Sequence, residues 1–158
     1  AMVSACSPFS PKSLGMVGKQ APYTRLTLLD GRYIPIAQYK DQGKTLILAF
    51  WDTTCPFSRP QISDLNEYAK ASSARKDVAF IVVSVDNPER ESRVRELAQS
   101  DEYNALTHAF SGNEVYDEAF IAFDYEIVPV VVVIGPDGVI KEIGQDADIV
   151  AKHLGLED

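Results

Sequence analysis

Cys55 and Ser58, three residues apart in the stretch FWDTTCPFSRP, are the side chains of this sequence best placed for covalent chemistry. A thiolate is the reactive form of cysteine, and a cysteine at a helix N-terminus gains from unpaired backbone N–H groups. That field can lower its pKa by one to several units from about 8.5. Pro56 fits this placement, because its fixed φ suits the first helical position and its missing N–H costs nothing there. Ser58, one turn along, can aim its hydroxyl at the Cys55 sulfur and donate a hydrogen bond to the thiolate. It cannot form a disulfide, so the spacing is that of a C-x-x-C redox pair with its second member replaced. Two cysteines, Cys6 and Cys55, are too few for a disulfide framework, and His108 and His153 stand far from both. The pattern argues against a structural zinc site, and no metal or cofactor is expected.

The elements that must position Cys55 are legible around it. Residues 44–51, KTLILAFW, form a near-continuous apolar run, as in a strand covered on both faces. Residues 56–72 follow with Ile62, Leu65, Tyr68 and Ala69 at helical spacing. Upstream, 24–36 reads as a hairpin around Asp30-Gly31, a pair that supplies the positive φ angles of a tight turn. Downstream come a buried strand from Val78, a charged helix opened by Pro88 and Glu89, a short strand at 106–110 and a helix over 113–123. A third buried strand at 128–134 turns through Gly135-Pro136-Asp137-Gly138 into 139–144, and a last helix covers 147–154.

Strands alternating with helices predict an α/β fold, a mixed sheet with parallel members, helices on both faces and an antiparallel closing hairpin. Chemistry in such sheets sits at the carboxyl ends of strands. Cys55 lies at one such end, aimed at solvent from the first turn of the next helix.

At 158 residues the chain suits one domain able to bury roughly two-thirds of its unfolded surface. A net charge of −8 argues against nucleic acid or an anionic membrane as the main partner. No apolar run approaches the roughly 18 residues needed to cross a bilayer. Residues 1–17, with four serines, two prolines and no periodicity, read as a flexible N-terminal tether ahead of a domain over 18–158. Within it, Val3-Ser4-Ala5-Cys6 resembles the end of a bacterial lipoprotein signal, in which the cysteine is lipidated; the plain alternative is a free cysteine in a flexible arm.

Taken together, these pieces resemble the thioredoxin superfamily, and within it the TlpA/ResA branch of membrane-tethered, extracytoplasmic thiol-disulfide oxidoreductases with an AhpC/TSA-like domain. The resemblance covers about residues 18–155. It rests on Gly18-Lys19-Gln20-Ala21-Pro22, the hairpin with Asp30-Gly31, Leu48-Ala49-Phe50-Trp51 ahead of Cys55-Pro56-Phe57-Ser58, Val128-Pro129 before a strand, and Gly135-Pro136-Asp137-Gly138. It implies a thioredoxin-like fold with an N-terminal β-hairpin. It also implies that Pro129 is cis and faces Cys55, that Val128 lends its backbone to an extended substrate, and that Trp51, Pro56 and Phe57 border the substrate site. The implied partners are protein thiols or disulfides, of a client or a partner reductase, acted on by a monomer outside the cytoplasm with a possible N-terminal membrane tether.

The departures matter as much. The family usually has cysteine where this chain has Ser58, and commonly a glutamate where it has Gln61; Pro60 inside the early helix is also unusual. Without a second thiol to attack the mixed disulfide, Cys55 stays linked until an outside thiol releases it. Three readings of the CPFS site stand. Ser58 is native, in a monothiol member that exchanges, isomerises or retains clients; or it replaces a cysteine, trapping a complex of an enzyme that needs cysteine at position 58 for full activity; or Cys55 is an inert buried cysteine in a non-catalytic binding module. A peroxiredoxin-like peroxidase is a lesser alternative, since its signature places threonine and proline where this chain has Asp52 and Leu48. CPFS also resembles monothiol glutaredoxins, but the hairpin and middle region fit TlpA/ResA better.

Overall fold

The computed structural model describes residues 5–7 and 15–156. Its centre is a five-stranded mixed sheet in the order β5-β4-β3-β6-β7. Strands β3 (Thr45–Trp51), β4 (Val78–Ser84) and β5 (Thr107–Phe110) run parallel, while β6 (Val130–Ile134) and β7 (Ile140–Gly144) are antiparallel additions. The expected closing hairpin is therefore β6–β7, and β6 itself already runs against β3. That reversal has a direct consequence for the site. With Phe50 opposite Val130, the end of β3 and the start of β6 lie at the same end of the sheet.

The alternation of side chains along β3 divides the core in two. Leu46, Leu48 and Phe50 enter one apolar cluster with Phe120, Phe123 and Tyr125; Ile47, Ala49 and Trp51 enter the other with Ile62, Leu65 and Tyr103. Helix α2 (Ser58–Ala71) covers the second face with Ile62, Leu65 and Ala69 buried. Pro60 does not break α2, because it sits in the first turn, where an N–H has no intrahelical partner. Ala5 joins the first cluster.

Three local differences from the sequence-based expectations have physical causes. The hairpin of β1 (Arg25–Thr27) and β2 (Tyr33–Pro35) closes through a longer loop, in which Gly31 alone has positive φ, at 93°, and Asp30 stays on the ordinary side while accepting from the Arg32 N–H. A short helix, α1 (Ala37–Asp41), carries no buried residue, so it shows no apolar stripe. The helix expected over 113–123 divides at Asp117, whose carboxylate accepts from the Ala119 and Phe120 N–H groups and caps α4 (Glu118–Ala122). Helix α3 (Glu91–Ala98) extends a 3₁₀ turn at Pro88–Arg90, and α5 (Ala151–Leu154) extends one at Ala147–Val150.

Segments from the first thirty residues lie along both edges of the sheet. The Gly18 N–H donates to Ile140 O, the Ile140 N–H to Lys19 O and the Ala21 N–H to Gly138 O, along the outer side of β7. At the opposite edge Leu28 bridges Ala109, and the Leu29 N–H donates to His108 O on β5.

Candidate active site

Cys55 ends the loop that follows β3. Its carbonyl accepts from the Ser58 N–H at 3.1 Å and the Arg59 N–H at 3.2 Å, which places it at the mouth of α2. The loop is fastened from behind. Asp86, fully buried just past β4, accepts from the Thr53 N–H, from Thr53 Oγ1 at 2.6 Å and from Ser84 Oγ at 2.5 Å, and pairs with Arg90 at 3.2 Å. The Arg90 guanidinium also donates to Thr53 Oγ1. Because β3 and β4 are parallel, Asp86 emerges at the same end as Cys55 and can hold the turn beneath it.

The sulfur is not free. Cys55 and Cys6 form a disulfide, with an S–S distance of 2.01 Å and a Cα–Cα distance of 5.5 Å. This corrects the expectation of a free Cys55 thiol and a free Cys6: the segment carrying Cys6 reaches the site across a sequence separation of 49. It also corrects the lipid-anchor reading at its key atom, because a sulfur in a disulfide cannot also carry a lipid. Val3 and Ser4 of that motif lie outside the described residues, as does most of the tether; residues 5–7 pack against the domain. Cys55 is 1% exposed beneath them.

The Val128-Pro129 peptide bond is cis, and Pro129 is buried at the start of β6. Cys6 and Val128 form a parallel bridge: the Val128 N–H donates to Ala5 O at 2.9 Å, and the Ser7 N–H donates to Val128 O at 3.0 Å. Gln145 Nε2 adds a bond to Ser7 O at 2.9 Å. A short segment thus bridges to Val128 with its cysteine bonded to Cys55. A cleft of about 240 Å³ beside it is lined by Ser7, Pro56, Phe57, Pro60, Pro129 and Gln145.

The other expected site residues fall into two groups. Pro56 and Phe57 are exposed on the rim, with Phe57 at 44%. Trp51 and Ser58 are not. Trp51 is fully buried against Tyr103, ring centroids 4.9 Å apart, so it supports the site from below and offers no surface to a client. Ser58 is also fully buried, and its Oγ accepts from the Asp52 N–H at a long 3.5 Å. The sulfur it was expected to serve is bonded to Cys6.

Gln61 accepts from the Ala147 N–H at 2.9 Å, a tie between α2 and the last helical segment. His108 lies under Trp51, its Nε2 paired with Tyr103 O, and burial lowers its pKa. His153 pairs with Glu142 on β7.

Sequence reasoning missed Asp86, Arg90 and Asp52. Arg90 reads in sequence as one more charge of the helix opened by Pro88 and Glu89; the available signal is Asp86, an aspartate ending an apolar strand, where a buried acid needs partners. Burial pushes the Asp52 carboxyl above its ordinary range, against hydrogen bonds from the Thr54 hydroxyl and N–H, with the nearby Asp86 carboxylate adding to the rise. Its backbone carbonyl accepts from the Cys55 N–H. The Asp52 backbone thus helps to close the turn that carries Cys55.

Several solved structures share the fold. A thiol-disulfide oxidoreductase from Bacteroides fragilis aligns with TM-score 0.74 at 18% identity, over 87% of this chain and 98% of that one. A thiol:disulfide interchange protein from Bacteroides sp. aligns with TM-score 0.70 at 22% identity, over 90% and 92% of the two chains. The thioredoxin domain of a Bacteroides vulgatus thiol-disulfide oxidoreductase aligns with TM-score 0.71 at 16% identity, over 88% and 95%. These likenesses carry the fold, which is thioredoxin-like with an N-terminal antiparallel hairpin. No curated protein matches the sequence. The AhpC/TSA family matches residues 17–143, which is most of the chain, and the chain belongs to that family.

Proposed function

We propose that this protein exchanges thiols and disulfides with protein substrates through Cys55, within a working domain over 18–158 of the TlpA/ResA kind. One observation carries the reading: the Cys55 sulfur is bonded to a cysteine in an extended segment that is paired, as an added strand, with the backbone of Val128. A client cysteine presented in the same way would meet the same sulfur, since strand addition supplies main-chain hydrogen bonds whatever the client's side chains. Pro56, Phe57 and Pro129 line the cleft beside it and offer apolar surface to the client's flanking residues.

The resemblance to the TlpA/ResA branch supports an extracytoplasmic setting. No helix among the described residues is long and apolar enough to cross a membrane.

The test is covalent capture. The reduced Cys6→Ser protein, in which Cys55 is the one remaining cysteine, mixed with an unfolded protein whose disulfides have been scrambled, should yield mixed-disulfide complexes on a non-reducing gel. Adding Cys55→Ser should abolish them; equal capture by the double variant would remove Cys55 from the chemistry.

A further inference from the structure

Cys6 does more than cover the exchanging sulfur, although its role rests on that reading of Cys55. We propose that Cys6 is the resolving thiol of this protein, supplying from the N-terminal segment what Ser58 cannot supply from the helix. Three observations converge on it. The Cys6 sulfur is bonded to Cys55. The segment around it is seated by three hydrogen bonds, two to Val128 and one from Gln145. Ser58, at the usual place of a second cysteine, is a buried hydroxyl with no capacity for exchange.

The cycle balances as a two-electron transfer. The Cys55 thiolate attacks one sulfur of a client disulfide, the client's other sulfur leaves as a thiolate and takes up a proton, and a Cys55–client disulfide forms. The Cys6 thiolate then attacks Cys55 Sγ. The Cys55–client bond breaks, the client sulfur leaves as a second thiol, and the Cys6–Cys55 bond forms. Two electrons have passed from the Cys6/Cys55 dithiol to the client, and a dithiol reductant of the partner-reductase class restores the pair. Run backwards, the same disulfide oxidises a client dithiol.

The geometry gives the second step a built-in order. Client and segment 5–7 use the same Val128 N–H and C=O, so the client yields this backbone as Cys6 arrives. The closed state then shields Cys55, which is 1% exposed. Because Cys6 belongs to the same chain, its attack is intramolecular, at an effective concentration of about millimolar for a short covalent link.

The experiment uses the reduced full-length chain and a short cysteine peptide carrying thionitrobenzoate as a mixed disulfide. Attack by Cys55 releases the coloured thionitrobenzoate, the better leaving group, and intact-mass measurement follows the Cys55–peptide adduct. In the unaltered protein the adduct should clear quickly, giving free peptide and the Cys6–Cys55 disulfide. In Cys6→Ser it should form and then persist at least about a hundredfold longer, because only outside thiols can resolve it. Ser7→Pro keeps both thiols but removes the N–H that docks on Val128, and should slow clearance to an intermediate rate.

An adduct as persistent in the unaltered protein as in Cys6→Ser, or unaltered clearance in Ser7→Pro, overturns the role of Cys6 and leaves Cys55 as the exchanging sulfur. Thionitrobenzoate release as fast from Cys55→Ser as from the unaltered protein overturns the Cys55 reading itself.

Discussion

Cys55 has two neighbours that could govern its chemistry, and they are held in different ways. Ser58 is fixed by regular structure: a seven-residue buried strand and a 14-residue helix determine its place, and its side chain is fully enclosed. Cys6 is fixed by a few bonds to a segment with no regular structure of its own, two backbone hydrogen bonds to Val128, one from Gln145 and the disulfide. The rigid position holds an oxygen that cannot exchange; the docked position holds a sulfur that can. Resolving power in this domain therefore depends on a reversible docking, where a C-x-x-C helix would have it permanently in place.

The sharpest way to break this contrast is to move the second thiol back onto the helix. In the double variant Cys6→Ser/Ser58→Cys, mild oxidation should yield, by peptide mapping, a disulfide between Cys55 and the thiol introduced at position 58. Insulin reduction should rise about tenfold or more over Cys6→Ser alone, because the attacking thiol is restored. Two thiols that stay free would mean that position 58 does not converge on the sulfur.

The next effect is on stability. The disulfide closes a loop with a sequence separation of 49, and chain entropy assigns such a closure up to about 4 kcal/mol. Urea unfolding with and without a reductant should show a lower midpoint in the reduced protein, and Cys6→Ser should match the reduced value under both conditions. A midpoint that ignores the redox state would make residues 5–7 a passenger on the fold.

The rigid side is tested by Asp86→Ala, which leaves the Thr53 N–H and the Arg90 guanidinium without their buried acceptor. A loss of about 2–3 kcal/mol is expected, reduced from the full cost of a broken buried pair because Arg90 keeps partial access to solvent. The loss should be alike in the oxidised and reduced proteins. A loss confined to one redox state would couple the two sides that the contrast separates.

The smallest effect is a control remote from the sulfur. Burial holds the Asp117 carboxyl above its ordinary value of 3.8, against lowering by its hydrogen bonds from Ser111, Phe120 and Ala119. An acid with a raised folded pKa supports the fold below 3.8 and loses that support as pH rises through the raised value. Asp117→Asn, which keeps a capping oxygen, should therefore gain on the unaltered protein as pH climbs from 3.8 toward neutrality. The gain, read from denaturation midpoints across pH, should be identical in both redox states.

How far the sequence reveals this molecule depends on where the information is local. Strands β3, β4 and β6 are legible because each is a continuous apolar run, and a run buried on both faces leaves little else for those residues to be. Gly31 marks the hairpin, although the loop around it is longer than the Asp-Gly pair suggests. The break at Asp117 is illegible to periodicity, since the apolar residues on either side continue at helical spacing while a capping carboxylate ends one turn and starts another. Trp51 reads as part of the site because it stands just ahead of the cysteine loop, yet the strict alternation of β3 sends its ring into the core beneath α2. Cys6 is the extreme case. Nothing in its neighbours specifies a partner, and its pairing is a property of the assembled sheet, with Val128 brought to Cys55 by the antiparallel run of β6.

The strips of early chain along β5 and β7 bear on how the molecule is made. Synthesis delivers residues 18–29 well before Gly138 and Ile140, so the pairing at β7 cannot close until nearly the whole domain has emerged. Until then a nascent sheet carries an open rim of unpaired N–H and C=O groups, the template on which strands of separate chains join. Contacts of such long sequence separation also slow closure. Residues 18–29 thus act as a late seal, and a chain shortened through them would lose Leu26 and Leu28 from the core together with the protection of both rims, showing the damage as self-association during folding.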